Sequence, residues 1–297
     1  MTNKTKTISP ARPFGAHVSG GKDLAKGLKQ VEEGKMSAFQ LFLSPPQSMK
    51  SPLGSANDGE WGQLVKKKDW KVFVHAPYLI NPASANGGLR VRATELLETT
   101  VERALALNFS GIVFHVGSHG KDTPSAGLRR VRSTLKPVLS LLEGTDLKLL
   151  MEPSSGHTSS MSSTIDTIPT YLDALANHPN LAVCLDTAHL FGAGVDFTQE
   201  GTATSMAKEF DRLVGLERLA VVHSNDSKAL CGSKRDLHAN WGDGLIGNYC
   251  LWELDAILPS SIPFVLETPA PNFPRDLALL RSICSNSVPP TEAKVMP

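Results

Sequence analysis

The chain has 297 residues, 41% of them hydrophobic and 20% charged, with a net charge of +1. This composition excludes a disordered or fibrous chain and leaves enough apolar material for one large core; a β/α barrel routinely fills such a length as a single domain. The near-neutral charge also excludes the global electropositive field of a DNA-coating protein, so any nucleic-acid partner must be drawn in by local patches or bound cations.

The first residues are rich in Thr, Ser and Lys, with no acidic residue before Asp23. They read as a flexible tail over residues 1–12, with an organellar presequence as the alternative. The barrel is expected over 13–288 and a second tail over 289–297. Cys184, Cys231, Cys250 and Cys284 lack Cys-x-x-Cys spacing and read as reduced thiols of an intracellular protein. No apolar run approaches the roughly 18 residues that span a bilayer. The expected setting is the cytoplasm, or the nucleus or an organelle of a eukaryote, with no membrane partner and a monomeric chain.

Eight short apolar, β-branched runs then follow in order: Phe14–Val18, Ala38–Leu43, Lys71–His75, Gly111–His115, Lys148–Glu152, Leu181–Asp186, Leu219–His223 and Pro263–Glu267. Near-continuous apolar character is how a strand buried on both faces reads. Between them lie stretches of helical period. The clearest is Leu89–Leu107, with Ala93, Leu96, Leu97, Val101, Ala104 and Leu105 on one side. Weaker versions run over Leu128–Leu142, Ile165–Leu175, Ala203–Val214 and Leu251–Leu258. Strands alternating with helices imply parallel pairing, and eight repeats imply closure. The expected fold class is α/β, a single (β/α)8 TIM barrel; an open doubly wound sheet is disfavoured by the lack of a glycine-rich loop after the first strand.

Strands three to eight each end in a residue suited to metal binding or acid–base work: His75, His115, Glu152, Asp186, His223 and Glu267. The gaps are 40, 37, 34, 37 and 44 residues, about one βα unit each. Parallel barrels build their sites where strands end, so residues far apart in sequence converge on one axis. His189 follows Asp186 by three residues, and Asp236 and His238 stand two apart, a spacing that lets both face one ion in extended chain. Five His, two Glu and two Asp without sulfur suit zinc or manganese and disfavour a Cys-type structural site. A lone strand-end His is more often a hydrogen-bonded core residue; the convergence of six argues the other way. His17 reads as either a support for a ligand or simple packing, His119 and His157 as supporting or structural, His178 as a helix terminus, and Lys66 to Lys68 as a solvated face.

With these motifs in place, the chain resembles the endonuclease IV family of apurinic/apyrimidinic endonucleases. The resemblance runs from Gly15–Ser19 to Leu266–Thr268 and is most specific at His75–Asn81, Cys184–His189, His223–Lys228 and Gly232–His238. It implies three Zn²⁺ ions, with Mn²⁺ as a possible substitute. His75, His115 and Glu152 would hold the first; Glu152 would bridge to a second with Asp186, His223 and Glu267; His189, Asp236 and His238 would hold the third. It also implies Glu152 and Glu267 as catalytic carboxylates, and Tyr78 and Leu79 as DNA-binding residues. The partner would be double-stranded DNA containing abasic sites. The reaction would be hydrolysis of the phosphodiester 5′ to the lesion, leaving a 3′-hydroxyl, with trimming of blocked 3′ ends. Six positive charges on three Zn²⁺ against four carboxylates leave a surplus that attracts phosphate, which reconciles DNA chemistry with a net charge of +1.

The chain departs from the family pattern in its loops. Gln47 stands near an expected Arg after strand two, Pro-Ser-Ser-Gly follows Glu152, Val116 follows His115, Leu237 replaces a basic residue, and Gly242-Asp-Gly244 replaces Gly-Glu-Gly. Two other functions compete. A sugar isomerase or epimerase of the same barrel class would use one divalent ion on Glu152, Asp186, His223 and Glu267, leaving His75, His115, His189, Asp236 and His238 unexplained. A protein that binds abasic DNA without cutting it would have no use for nine ligands.

Overall fold

The computed structural model describes residues 11–21, 24–269 and 273–285. The expected tail over 289–297 and most of the one over 1–12 lie outside these residues. Arg12, placed in the tail by composition, is instead built into the barrel. It is 2% exposed, its Nε donates to Asp255 Oδ1 at 2.6 Å, and its other nitrogens donate to the carbonyls of Asp255, Leu258, Pro259 and Ile262.

Eight parallel strands close into a barrel: β1 (Phe14–His17), β2 (Ala38–Leu41), β3 (Lys71–His75), β4 (Gly111–His115), β5 (Lys148–Glu152), β6 (Leu181–Asp186), β7 (Leu219–His223) and, after a small hairpin of β8 (Asp226–Ser227) and β9 (His238–Ala239), β10 (Phe264–Leu266). Neighbours run β1-β10-β7-β6-β5-β4-β3-β2, so β10 and β2 both flank β1. The first, second and last strands are shorter than their apolar runs suggest, because Val18, Phe42, Leu43 and Glu267 already belong to the loops of the site. Gly15 has to be glycine: a Cβ there would lie 1.7 Å from the Ala38 carbonyl oxygen on β2.

Helices α1 (Leu24–Glu33), α2 (Asp58–Lys68), α3 (Gly87–Ala106), α4 (Pro124–Ser140), α5 (Ile168–Ala174), α6 (Thr187–Ala193), α7 (Thr202–Leu213), α8 (Asn248–Ile257) and α9 (Phe273–Ser285) follow the strands. The longest, α3, starts where Asn86 accepts a hydrogen bond from the Leu89 amide, satisfying one free N–H of the first turn. It buries Ala93, Leu96, Leu97, Val101 and Ala104 as its periodicity predicts, but Leu105 is 38% exposed. Leu105 lies beside the apolar stripe, one residue past Ala104, and turns to solvent.

Alternate residues of a strand face the same side, and this phase positions the site. Outward residues such as Val72, Val74, Ile112, Phe114, Leu149 and Met151 join the core under the helices. Inward ones form a separate buried cluster: Ala38, Phe73, Val113, Leu150, Ala182, Cys184, Val221 and Val265. Two residues beyond Phe73, Val113, Leu150, Cys184, Val221 and Val265 come His75, His115, Glu152, Asp186, His223 and Glu267. The polar strand ends are therefore the next inward layer, resting on an apolar floor.

Candidate metal centre

Glu152 is fully buried at the middle of this layer. Its Oε2 lies 3.2 Å from His75 Nε2 and 3.4 Å from His115 Nε2. Its Oε1 lies 3.1 Å from His223 Nδ1 and 3.4 Å from His189 Nδ1. One carboxylate thus faces two pairs of imidazoles with its two oxygens. His223 Nδ1 is also 3.2 Å from Glu267 Oε2 and 3.9 Å from Asp186 Oδ2. On the far side, Asp236 reaches His189 Nε2 at 3.2 Å and His238 Nε2 at 3.0 Å, and His238 Nε2 lies 3.5 Å from Asp186 Oδ2. All nine residues named from the sequence meet in one connected cluster.

Local structure explains how they arrive. Asp186 ends β6 and caps α6, its Oδ1 accepting from the His189 amide at 2.9 Å. That bond fixes His189 in the first helical turn and leaves Oδ2 turned to the site. The segment after β7 folds back as the β8–β9 hairpin, pairing Ser227 with His238, which carries Asp236 and His238 to the strand ends. The return loop hangs on buried Asp226, whose side chain accepts from the amides of Ser227, Gly242, Gly244 and Ile246. A Cβ at Gly244 would lie 2.4 Å from Asp226 Oδ1, so the departure at Asp243 keeps the glycine that this anchorage demands.

The charges are strongly coupled. Burial opposes ionisation of Glu152, but His223, His75 and His115 outweigh it and hold the carboxyl well below its usual range. Glu267 is held low in the same way, by His223, His17 and His75 against burial. Burial disfavours the charged form of His189 and His238 too, yet Asp186 and Asp236 raise both, His238 to about 9. His115, by contrast, is lowered to about 4 by burial and the neighbouring His75 and His189. The carboxylates therefore collect positive charge into a space lined by nitrogen and oxygen.

That donor set fits divalent ions. Among the described residues, ligand atoms close enough to share an ion occur on His75, His115 and Glu152; on Glu152, Asp186, His223 and Glu267; on Asp186, His189 and His238; and on Glu152, Cys184 and His223. His238 Nε2 is buried without a hydrogen bond although two carboxylates flank it, which is how a ligand atom aimed at a cation looks. The first two groups reproduce the expected first and second sets; the third brings Asp186 in where Asp236 was expected, with Asp236 close by.

At the rim, Tyr78 and Leu79 are 50% and 52% exposed. The Tyr78 amide donates to the Pro46 carbonyl at 2.9 Å, tying the loop after β3 to the loop after β2, where Gln47 is exposed. His17 supports the cluster, its Nδ1 3.7 Å from Glu267 Oε1. His119 serves the chain fold, its amide donating to the Ser159 carbonyl. His178 Nδ1 accepts from the Asn180 amide beyond the end of α5. His157 and Lys66 to Lys68 are exposed.

Sequence reasoning missed Gln40 and Asn225. Asn225 donates from Nδ2 to Asp186 Oδ2 at 2.7 Å and accepts from the Glu267 amide at 2.7 Å. Gln40, fully buried in β2, touches Glu267, His223 and His17. The signal for Gln40 was present: a polar residue inside an apolar run, two positions after inward-facing Ala38.

A closed parallel barrel with a polar cluster at its strand ends defines a class, and the family model described as the xylose isomerase-like TIM barrel matches residues 28–283. Within that class, the probable endonuclease 4 of Streptomyces coelicolor is 35% identical over 278 residues, covering 90% of this chain and 93% of that protein. The crystal structure of endonuclease IV from Thermus thermophilus superposes with a TM-score of 0.79 at 26% identity, over 92% of this chain and 99% of that one. The chain belongs to the endonuclease 4 family, whose members are metal-dependent hydrolases. A D-tagatose 3-epimerase-like protein shares the fold, with a TM-score of 0.69 at 19% identity over 92% of this chain and 97% of that one.

Proposed function

We propose that this chain cuts double-stranded DNA on the 5′ side of abasic sites, leaving a 3′-hydroxyl, and trims blocked 3′ ends. The observation that carries this reading is Glu152, which offers one oxygen to His75 and His115 and the other to His223 and His189. His75, His115 and Glu152 would hold one Zn²⁺; Glu152, Asp186, His223 and Glu267 a second; His189, Asp236 and His238 a third, with Mn²⁺ able to substitute. When bound, such ions supply Lewis acidity, lowering the pKa of water to near 7 and neutralising charge that develops on a phosphate.

The chain's own residues do the rest. Glu152 sets the spacing between the ligand groups on its two sides, and Glu267, held ionised, presents Oε2 to the same space as a negative ligand that would hold an ion against the phosphate. Both are the catalytic carboxylates of the reading. Tyr78 and Leu79 stand at the rim and fill the gap left when an abasic nucleotide swings out of the duplex, a movement made easy because no base pair opposes it. The chain would work as a monomer, in the cytoplasm or in the nucleus or an organelle of a eukaryote. A sugar isomerase would use only Glu152, Asp186, His223 and Glu267 and leave the other five side chains idle.

The test is incubation of metal-replete protein with a duplex carrying one tetrahydrofuran abasic analogue. A single cut 5′ to the analogue, with an end that a polymerase extends, is expected. Tight binding without cutting would favour a lesion-binding protein, and turnover of a ketose with no cutting would favour an epimerase.

A further inference from the structure

We infer that Gln40 is a positioning residue for the metal centre: its side-chain amide selects the nitrogen of His223 and the oxygen of Glu267 that face Glu152 and Asp186. The inference rests on the metal-site reading above. Gln40 sits on β2, with no ligand on its own strand, and is fully buried. Its Nε2 donates to Glu267 Oε1 at 2.6 Å and lies 3.1 Å from His17 Nδ1. Its Oε1 lies 2.9 Å from His223 Nε2.

An amide group has two hydrogens on nitrogen and only acceptor capacity on oxygen. The reverse orientation would set the amide oxygen against a carboxylate oxygen at 2.6 Å with no hydrogen between them, so Glu267 decides which way the group points. Everything else follows from that choice. The second Nε2 hydrogen meets His17 Nδ1, which must then be the unprotonated nitrogen. His223 Nε2 must carry a hydrogen to reach the Gln40 oxygen, so the lone pair that His223 offers to an ion is on Nδ1.

Nδ1 is the atom that lies 3.1 Å from Glu152 Oε1, 3.2 Å from Glu267 Oε2 and 3.9 Å from Asp186 Oδ2. Glu267 in turn commits Oε1 to Gln40 and keeps Oε2 for the same space. One neutral side chain thereby orients two ligands and their His17 support without adding charge among the carboxylates. Partners of this kind fix the tautomer of a ligating imidazole, and their loss weakens metal binding by about 10–100-fold.

The experiment uses the full chain with labelled histidine imidazoles, loaded with zinc, and reads nitrogen–hydrogen correlations alongside zinc retained against graded chelator. In the wild type, His223 should carry its hydrogen on Nε2; a hydrogen on Nδ1 overturns the inference without any variant. Gln40→Met should lose zinc at chelator concentrations about 10–100-fold lower than the wild type, for one ion and not for all. Gln40→Glu, nearly isosteric, replaces the donor to Glu267 with a second carboxylate oxygen and should lose the same ion at lower chelator concentration. It serves where the Met variant fails to fold, and unchanged zinc retention in it also overturns the inference. Gln40→Met that folds and holds every ion as the wild type does defeats the inference while leaving the metal-site reading intact. A wild-type chain that takes up no zinc defeats both.

Discussion

Tyr78 lies over His115 with ring centroids 5.5 Å apart and planes 14° from parallel. The same ring meets His75 and Phe42 edge-on, each at 5.4 Å. A rim residue that is half exposed is therefore held by His75 and His115 of the polar cluster together with Phe42, leaving its outer part free.

From that stacking we expect Tyr78→Ala to weaken binding to an abasic duplex by roughly 1–3 kcal/mol, the worth of an aromatic ring stacked on bases. Gln47→Ala should do much less, since Gln offers neither a guanidinium plane nor charge. Binding of both variants to abasic and intact duplexes at one salt concentration checks this. Equal losses on the two duplexes would remove lesion recognition from this loop.

The Tyr78 hydroxyl is pushed up to about 12 by burial first and then by the charges of Glu267 and Glu152. A raised value favours the neutral phenol, so its ionisation is deferred beyond the ordinary tyrosine range near 10. Tyr78→Phe should therefore leave the pH dependence of DNA binding unchanged up to about pH 10. A limb near that pH that vanishes in the variant would contradict it.

On the proposed reading, nine ligands with one shared carboxylate would complete about three sites, so elemental analysis of protein purified without chelator should find about three zinc ions per chain. Because ions that bind only the folded chain stabilise it, chelation should lower the melting temperature. One ion or none, with full folding and activity, would remove the trinuclear arrangement.

Glu152→Gln should reduce cleavage by several orders of magnitude, on the scale of lost Lewis acidity, and by more than any other single ligand change. The amide turns an N–H toward one of the two imidazole pairs that Glu152 now faces. Single-turnover rates for Glu152→Gln and His189→Ala would decide it, and a far larger loss in the latter would move the bridge elsewhere.

Arg12→Met should destabilise the chain by about 3 kcal/mol, because buried carbonyls after α8 lose their donor and Asp255 its partner. Arg12 lies away from the metal cluster, so cleavage at temperatures well below melting should be unchanged. Urea denaturation within a few tenths of a kcal/mol of the wild type would show that these bonds contribute little.

Much of the molecule was legible in one dimension because two of its rules are local. A strand buried on both faces must be apolar along its length, and the residue that ends it on the inward phase must face the axis; Phe73 then His75, or Leu150 then Glu152, can be read without knowing the partner strand. In the Asp-Thr-Ala-His segment the sequence showed only that His189 follows Asp186 by three residues; that Asp186 caps a helix there came from the structure. Helices α1, α2, α6 and α9 went unnoticed as helices: α6 is only seven residues long and α2 buries little beyond Val65, but α1 lays Leu24, Leu28 and Val31 along one buried face, a stripe that was there to be read.

Residue types, spacing and strand phase thus determined the barrel and the nine polar residues at its mouth. Tertiary structure alone decided which oxygen of Glu152 faces which imidazoles, that Gln40 spans from β2 to Glu267 and His223, and that Arg12 closes the base of the last helical unit. Those contacts join residues 227, 183 and 243 positions apart. No local preference encodes them, because each depends on where closure of the barrel sets one strand against another.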